Sequence, residues 1–267
     1  MEYLFDRKEK ILARLKTANR IFFFFDYDGT LTPIVSRPEK AILSKETRAL
    51  LLALKKNPKF LLAIVSGRSL KDIRKLVGLK GVYYVGNHGL KVFAPKRGIK
   101  KLVPEKVVPE LGRIRDRLNN QLKDVDGIFI EDKGYILAIH YRNVDPRQVP
   151  PIFIALKQEI KDSMVPLCLG HGKMVFEIRP QSMVDKGTAV LGLLDQVNQD
   201  GLLPIYIGDD QTDEDAFKPL KKIGVTIFVG LPSHSSAQYY VNDPLEVHHF
   251  LMMVRNELKF LSPFNHP

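Results

Sequence analysis

The sequence predicts an α/β protein built on a doubly wound parallel sheet, with a smaller α/β unit inserted into it. Three observations carry that prediction. Continuous apolar runs such as Phe22-Phe23-Phe24-Phe25 and Phe60-Leu61-Leu62-Ala63-Ile64-Val65 alternate with helix-like stretches, the pattern of strands buried on both faces. These runs end in acids, hydroxyls or glycine, which puts polar chemistry at the carboxyl edge of the sheet, where such sheets bind ligands. The alternation stops near Pro104 and resumes after Pro180, with a hairpin-rich pattern between. The expected division is a core of residues 1–103 and 181–267 and an insert of residues 104–180.

In chain order, the first run leads into Asp26-Tyr27-Asp28-Gly29-Thr30-Leu31. Residues i and i+2 of an extended chain point to one side, so both carboxylates face one point beyond the strand, and Gly29 lets the chain turn sharply. Two close carboxylates repel unless a cation sits between them, and oxygen ligands of this kind suit Mg2+. A hairpin turn with solvated acids is the bland alternative for a lone pair of this spacing. Ser44 can cap a helix with Leu50, Leu51 and Leu54 on its apolar face, ended by Asn57-Pro58. The second strand then delivers Ser66-Gly67-Arg68 ahead of a helix capped by Ser69 and closed near Gly78. A hydroxyl, a glycine and a guanidinium at a strand-to-helix turn suit a phosphoryl oxygen, although alone they read as an ordinary cap.

A third strand, Val82 to Val85, ends in Gly86-Asn87-His88-Gly89, whose flanking glycines suggest a close backbone approach. The insert follows: a helix over 105–123, paired runs 127–132 and 135–141 around Lys133-Gly134, a helix near 146–162, and runs 165–169 and 173–179 around Gly170-His171-Gly172. Lys186 then opens a helix to about Asn198, and Leu203 to Ile207 forms a strand that leads into Gly208-Asp209-Asp210-Gln211-Thr212-Asp213-Glu214-Asp215. Five acids in seven residues are costly on a plain surface turn and read as the rest of a metal site, with helix capping as the alternative for Asp213. A last strand, Val225 to Val229, and helices near 235–241 and 243–258 complete the core.

Composition narrows the function without choosing it. The 267 residues are 45% hydrophobic, an ordinary globular balance, and the single cysteine, Cys168, excludes an internal disulfide. Met1 to Arg20 is charged with no apolar signal core, and the run at 21–25 is too short to span a bilayer, so a cytoplasmic location with no membrane partner is expected. The net charge of +11 is spread in short doublets such as Lys55-Lys56, without interleaved aromatics. Nucleic acid is therefore not the expected partner, whereas a small anionic substrate suits the charge.

Four separated segments thus place Asp26 with Asp28, Ser66, Lys186, and Asp209 with Asp210 at one sheet edge. Acids for Mg2+, a serine and a lysine for phosphoryl oxygens, and a second acid beside the first suit phosphoryl transfer through an aspartyl-phosphate. In that chemistry Asp26 attacks phosphorus, Lys186 neutralises equatorial oxygens, and Asp28 protonates the leaving alcohol before activating water.

Asp26-x-Asp28-Gly29-Thr30, Ser66-Gly67-Arg68, Lys186 and Gly208-Asp209-Asp210 resemble, in order, the four motifs of the haloacid dehalogenase (HAD) superfamily of phosphotransferases, whose core is Rossmann-like. Gly208 through Asp215, Asn87-His88-Gly89, Glu131-Asp132-Lys133 with His140-Tyr141-Arg142, and Gly172-Lys173 with Glu177-Ile178-Arg179-Pro180 are similar to strings of trehalose-6-phosphate phosphatases. The resemblance implies Mg2+-dependent hydrolysis of trehalose 6-phosphate, with the insert as a mobile α/β cap. It implies metal ligation by Asp26, the Asp28 backbone carbonyl and Asp209, with Asp210 in the same acidic group. Phosphate contacts are implied for Thr30, Ser66, Gly67, Arg68 and Lys186, and substrate contacts for Asn87, His88, Glu131, Arg142, Lys173 and Glu177. One departure stands out: Gly89-Leu90-Lys91 carries a base where the family usually has an acid. Another phosphosugar, such as sucrose phosphate or a glycosyl-phosphoglycerate, remains open as substrate. So does a catalytically silent partner of a trehalose-phosphate synthase, and that synthase is the protein partner the resemblance leaves open.

Overall fold

In chain order the strands are β1 (Glu2–Tyr3), β2 (Arg20–Asp26), β3 (Phe60–Val65), β4 (Tyr83–Gly86), β5 (Lys91–Ala94), β6 (Gly98–Lys101), β7 (Phe129–Asp132), β8 (Leu137–His140), β9 (Leu167–Gly172), β10 (Val175–Pro180), β11 (Leu202–Gly208), β12 (Val225–Val229) and β13 (Tyr239–Val241). The helices are α1 (Lys8–Thr17), α2 (Lys45–Lys56), α3 (Leu70–Val77), α4 (Val107–Gln121), α5 (Val149–Lys161), α6 (Lys186–Val197), α7 (Glu214–Leu220) and α8 (Pro244–Leu258). The computed structural model describes residues 1–258 apart from 36, 96, 103–105, 182–183 and 232–233. The chain divides into two compact units, Met1–Lys100 with Val184–Pro267, and Lys101–Met183. The expected boundary at 103/104 falls on residues outside those described.

The first unit holds a nine-stranded sheet in the order β1-β13-β12-β11-β2-β3-β4-β5-β6 among the described residues. From β1 across to β4 every pair is parallel, and β5 then pairs antiparallel with β4. Strand β2 lies at the centre because its four phenylalanines are apolar on both faces. Phe23 stacks on Phe25 at 5.5 Å on one side, and Phe22 meets Phe24 at 4.2 Å on the other. All four are fully buried, which only a strand flanked by strands and covered on both faces allows. In register, Phe25 faces Ile207 of β11 and Ile64 of β3, so the carboxyl ends of these three strands finish together.

The chain departs from expectation in two places. Residues 235–241, expected as helix, instead give β13, because Ala237, Tyr239 and Val241 turn inward with the period of a strand and pair alongside β12. The sheet also continues past the third expected strand into β5 and β6 before the second unit begins.

The second unit is a four-stranded antiparallel sheet, β7-β8-β10-β9. Leu137, Ile139, Phe176 and Ile178 alternate onto one buried face, and Leu111, Ile114, Leu118, Ile152 and Leu156 form the buried stripes of α4 and α5. Arg117 on α4 ties to the buried Glu159 of α5 at 2.7 Å. None of the described helices in either unit is long and apolar enough to cross a membrane.

The central position of β2 sets the first test. Phe23→Ala removes a fully buried ring and is expected to lower unfolding free energy by about 3–5 kcal/mol, read as a lower urea midpoint at an unchanged m-value. A loss under about 1 kcal/mol would show that the sheet collapses to fill the gap.

Candidate active site

The carboxyl ends of β2, β3 and β11, with the start of α6, bring together groups far apart in sequence. Strand β2 ends in Asp26, buried, and α6 begins with Lys186, also buried. The Lys186 ammonium donates to Asp26 Oδ1 at 2.8 Å and to Asp213 Oδ1 at 2.7 Å. Asp213 also accepts from the Tyr206 hydroxyl at 2.7 Å and, through Oδ2, from the backbone N–H groups of Asp209 at 3.0 Å and Asp210 at 2.9 Å. Both oxygens of Asp213 thus accept two hydrogen bonds each. This acid is the anchor of the site; the cap contact that is the alternative reading for Asp213 is one of the four hydrogen bonds it accepts.

Asp209 stands beside this cluster. Its Oδ1 accepts from the Thr30 hydroxyl at 3.2 Å, and its carboxylate packs on Gly29, where a Cβ would collide with it. Gly29 has φ of +87°, so glycine serves both the turn and the close approach. Asp210 points elsewhere: its side chain caps the short turn Gln211–Asp213 by accepting from Gln211 N–H at 2.7 Å, and it is exposed. Among the described residues, Asp26, Asp209 and Asp213 lie close enough together to hold a metal ion.

The electrostatics follow from burial. Desolvation pushes the Asp26 carboxyl well above its usual range, against the pull of Lys186, and pushes Asp209 up to about 7 with help from the Asp213 charge. Burial works to lower the Lys186 pKa, but the Asp213 and Asp26 carboxylates outweigh it and keep the ammonium charged. Burial and the Asp213 charge raise Tyr206, holding it as a neutral donor. Asp26, Asp209 and Asp213 oppose one lysine, so negative charge is in excess. Hard oxygen donors in that imbalance fit a divalent cation, which Asp26 and Asp209 would hold because Asp213 is already saturated.

Asp28 lies on the outer side. The Arg68 guanidinium grips it through Nε at 2.6 Å and Nη2 at 2.5 Å, while resting 5.5 Å from the Tyr27 ring. Ser66 is buried and its Oγ accepts from Arg68 N–H at 3.1 Å. Asn87 N–H donates to Arg68 O at 2.8 Å, so the Gly86–Gly89 loop sits on the Ser66–Arg68 turn.

The remaining expected residues belong to the second unit. Glu131 and Glu177 both pair in register with Ala138, which places them on one sheet face. Lys133 reaches Glu177 at 3.4 Å and Glu131 at 3.9 Å, and His140 Nε2 lies 3.0 Å from Glu131. Arg142 donates to the Lys173 carbonyl at 3.4 Å. Lys133 and His140 were visible beside Glu131 and Arg142 in the sequence strings, but their bonding depends on strand register.

A buried aspartate and lysine at the carboxyl edge of this sheet, beside further acids, define the class: an α/β phosphatase of the haloacid dehalogenase type. The trehalose-phosphatase family model matches residues 24–245, and the chain belongs to that family. It is similar to "Probable trehalose-phosphate phosphatase 2" of Oryza sativa subsp. japonica, 36% identical over 90% of this chain and 69% of the relative. It is also similar to "Trehalose-phosphate phosphatase B" of Arabidopsis thaliana, 35% identical over 87% of this chain and 65% of that one. Among solved structures, the C-terminal domain of the C. albicans trehalose-6-phosphate phosphatase superposes with a TM-score of 0.79 at 26% identity, covering 93% of this chain and 96% of that one.

The excess negative charge gives a pH test. A carboxyl whose folded pKa is raised binds its proton more tightly folded than unfolded, so metal-free stability falls as pH rises from about 4 to about 7, the value for Asp209. Melting curves in EDTA should show that decline, Mg2+ should flatten it, and Asp209→Asn should flatten it without Mg2+. A decline that Mg2+ leaves unchanged would remove the cation from this site.

Proposed function

We propose that the protein is a Mg2+-dependent phosphatase that hydrolyses trehalose 6-phosphate to trehalose and phosphate through an aspartyl-phosphate. The observation that carries this reading is the buried contact of Lys186 with Asp26, in a chain of the trehalose-phosphatase family. Lys186 occupies Asp26 Oδ1 and leaves Oδ2 to attack phosphorus. As the new O–P bond forms, the bond to the sugar oxygen breaks, and Asp28, protonated once the Arg68 fork has opened, gives that oxygen its proton. Asp28 then takes a proton from water, which attacks phosphorus and returns the Asp26 carboxylate. Asp26, Asp209 and the Asp28 carbonyl would hold Mg2+, which when bound would supply positive charge beside the phosphate. Ser66 accepts from Arg68 N–H and keeps its hydroxyl proton to donate to phosphate.

We assign Arg68 to Asp28 rather than to phosphate, because both ends of its fork are on that carboxylate. Thr30 is assigned to orienting Asp209 through its hydroxyl. The sugar is assigned to the second unit, where Glu131, Lys133, His140 and Glu177 give clustered donors and acceptors and Arg142 and Lys173 adjoin. The half-buried thiol of Cys168, the chain's single cysteine, suits a reducing compartment and supports a cytoplasmic location. The intact nucleophile, lysine and acids argue against a silent partner of a trehalose-phosphate synthase; association with a synthase as an active enzyme is read by co-purification.

Phosphate release from a panel of sugar phosphates, with Mg2+ and with EDTA, tests the reading, with Asp26→Asn as the blank. Preference for trehalose 6-phosphate supports it; turnover of sucrose phosphate or a glycosyl-phosphoglycerate keeps the mechanism and changes the substrate. No turnover overturns both. Glu177→Ala or Lys173→Ala is expected to raise KM for trehalose 6-phosphate about ten-fold or more and leave that for an aryl phosphate within about three-fold. Equal effects on the two substrates would remove these residues from sugar recognition.

A further inference from the structure

Asn87-His88-Gly89 is a turn in an unusual conformation: three successive residues have positive φ, +53°, +53° and +109°, and two of them are not glycine. Left-handed backbone is unfavourable for side chains with a Cβ, and such strain persists only where the surroundings enforce it. The surroundings here are the two loops that carry the phosphate chemistry. On one side Asn87 N–H donates to Arg68 O at 2.8 Å and His88 N–H to Ser66 O at 3.2 Å. The His88 ring lies directly on Gly67, where any Cβ would run into the imidazole. On the other side Gly89 presses against the carbonyl of Asp185, so that a Cβ there would collide with it. Asp185 is the residue that caps α6, accepting from Thr188 N–H at 2.7 Å one position before Lys186.

The turn therefore touches the Ser66–Arg68 loop with one end and the start of the Lys186 helix with the other. We propose that His88 is a positioning residue: its ring packed on Gly67, within this left-handed turn, sets the place of the phosphate-binding loop relative to Lys186. This rests on the phosphatase reading above. It differs from the substrate contact that family resemblance implies for Asn87 and His88, because Asn87 is fully buried and the contacts of His88 named here are to the loop. The contact is one of shape. Glycine at 67 and a flat ring at 88 are complementary, and neither works without the other.

The test is a double-mutant cycle on the full chain, with trehalose 6-phosphate and 4-nitrophenyl phosphate as substrates and inorganic phosphate as competitive inhibitor. His88→Ala is expected to lower kcat/KM about ten-fold on both substrates and to raise the phosphate inhibition constant similarly, with the melting temperature held within a few degrees. His88→Phe, which keeps a flat ring and lacks the ring nitrogens, is expected to stay within about three-fold of wild type. Gly67→Ala should lose about a hundred-fold, and Gly67→Ala combined with His88→Ala should be more active than Gly67→Ala alone, because removing the ring relieves the collision. A loss confined to trehalose 6-phosphate would make His88 a sugar contact and overturn the proposal. So would a Phe variant as impaired as the Ala variant, or a double variant no better than Gly67→Ala. If wild type cleaves the aryl phosphate but no trehalose 6-phosphate, the substrate reading fails and the cycle is still read on the aryl phosphate.

Discussion

The buried contact of Lys186 with Asp26 and Asp213 is the constraint on which the rest of the first unit depends. Isolated charges in an apolar interior are prohibitive, and they are tolerated here because each meets hydrogen-bond partners of opposite or neutral kind. Asp213 accepts from an ammonium, a phenol and two backbone amides, an arrangement that needs β11, the turn after it and α6 in fixed relation. Asp26 accepts from Lys186, and burial raises its pKa despite that lysine. Asp26 is thus left short of positive charge, while Asp213 is saturated. A cation and a phosphate oxygen can complete the first without disturbing the second.

The sheet order is what makes this possible. Asp26 ends a central strand flanked by β3 and β11, so Ser66 and Asp209 emerge on either side of it. Neighbouring parallel strands lie about 4.8 Å apart, and groups at their carboxyl ends fall within reach of one phosphoryl group without long side chains. The chain reaches these positions by helical crossovers, which explains why the catalytic strings are far apart in sequence yet always follow an apolar run. The phenylalanines of β2 hold that geometry from below, since a one-residue register slip would move Asp26 to the other face.

Much of this was legible in the sequence, because burial on both faces leaves an unbroken apolar run and the site residues follow such runs. Asp26, Ser66, Lys186 and Asp209 were readable for that reason. Asp213 could not be ranked above Asp210 from sequence alone: five acids crowd one segment, and which is buried depends on how the turn Gln211–Asp213 closes under the Asp210 cap. The contact of Arg68 with Asp28 could not be read from the sequence, because it links residues forty positions apart. Residues 239–241 misled for another reason. Two tyrosines and a valine before a proline-initiated helix carry too short a period to separate strand from helix, and only the pairing of β12 and β1 on either side decides it.

The two units divide the chemical task by charge. The first concentrates excess negative charge in a buried cluster, suited to a cation and through it to a phosphate. The second comes nearer to balance: Glu131 and Glu177 share Lys133, with the His140 ring against Glu131. A carboxylate held by an ammonium neither attracts nor repels strongly at a distance, but it keeps directional acceptors beside directional donors. That is poor equipment for collecting anions and good equipment for a neutral polyol, whose hydroxyls each donate and accept. On the proposed reading, substrate choice among phosphosugars would rest on hydroxyl geometry in the second unit, and phosphoryl transfer on the Lys186 cluster in the first.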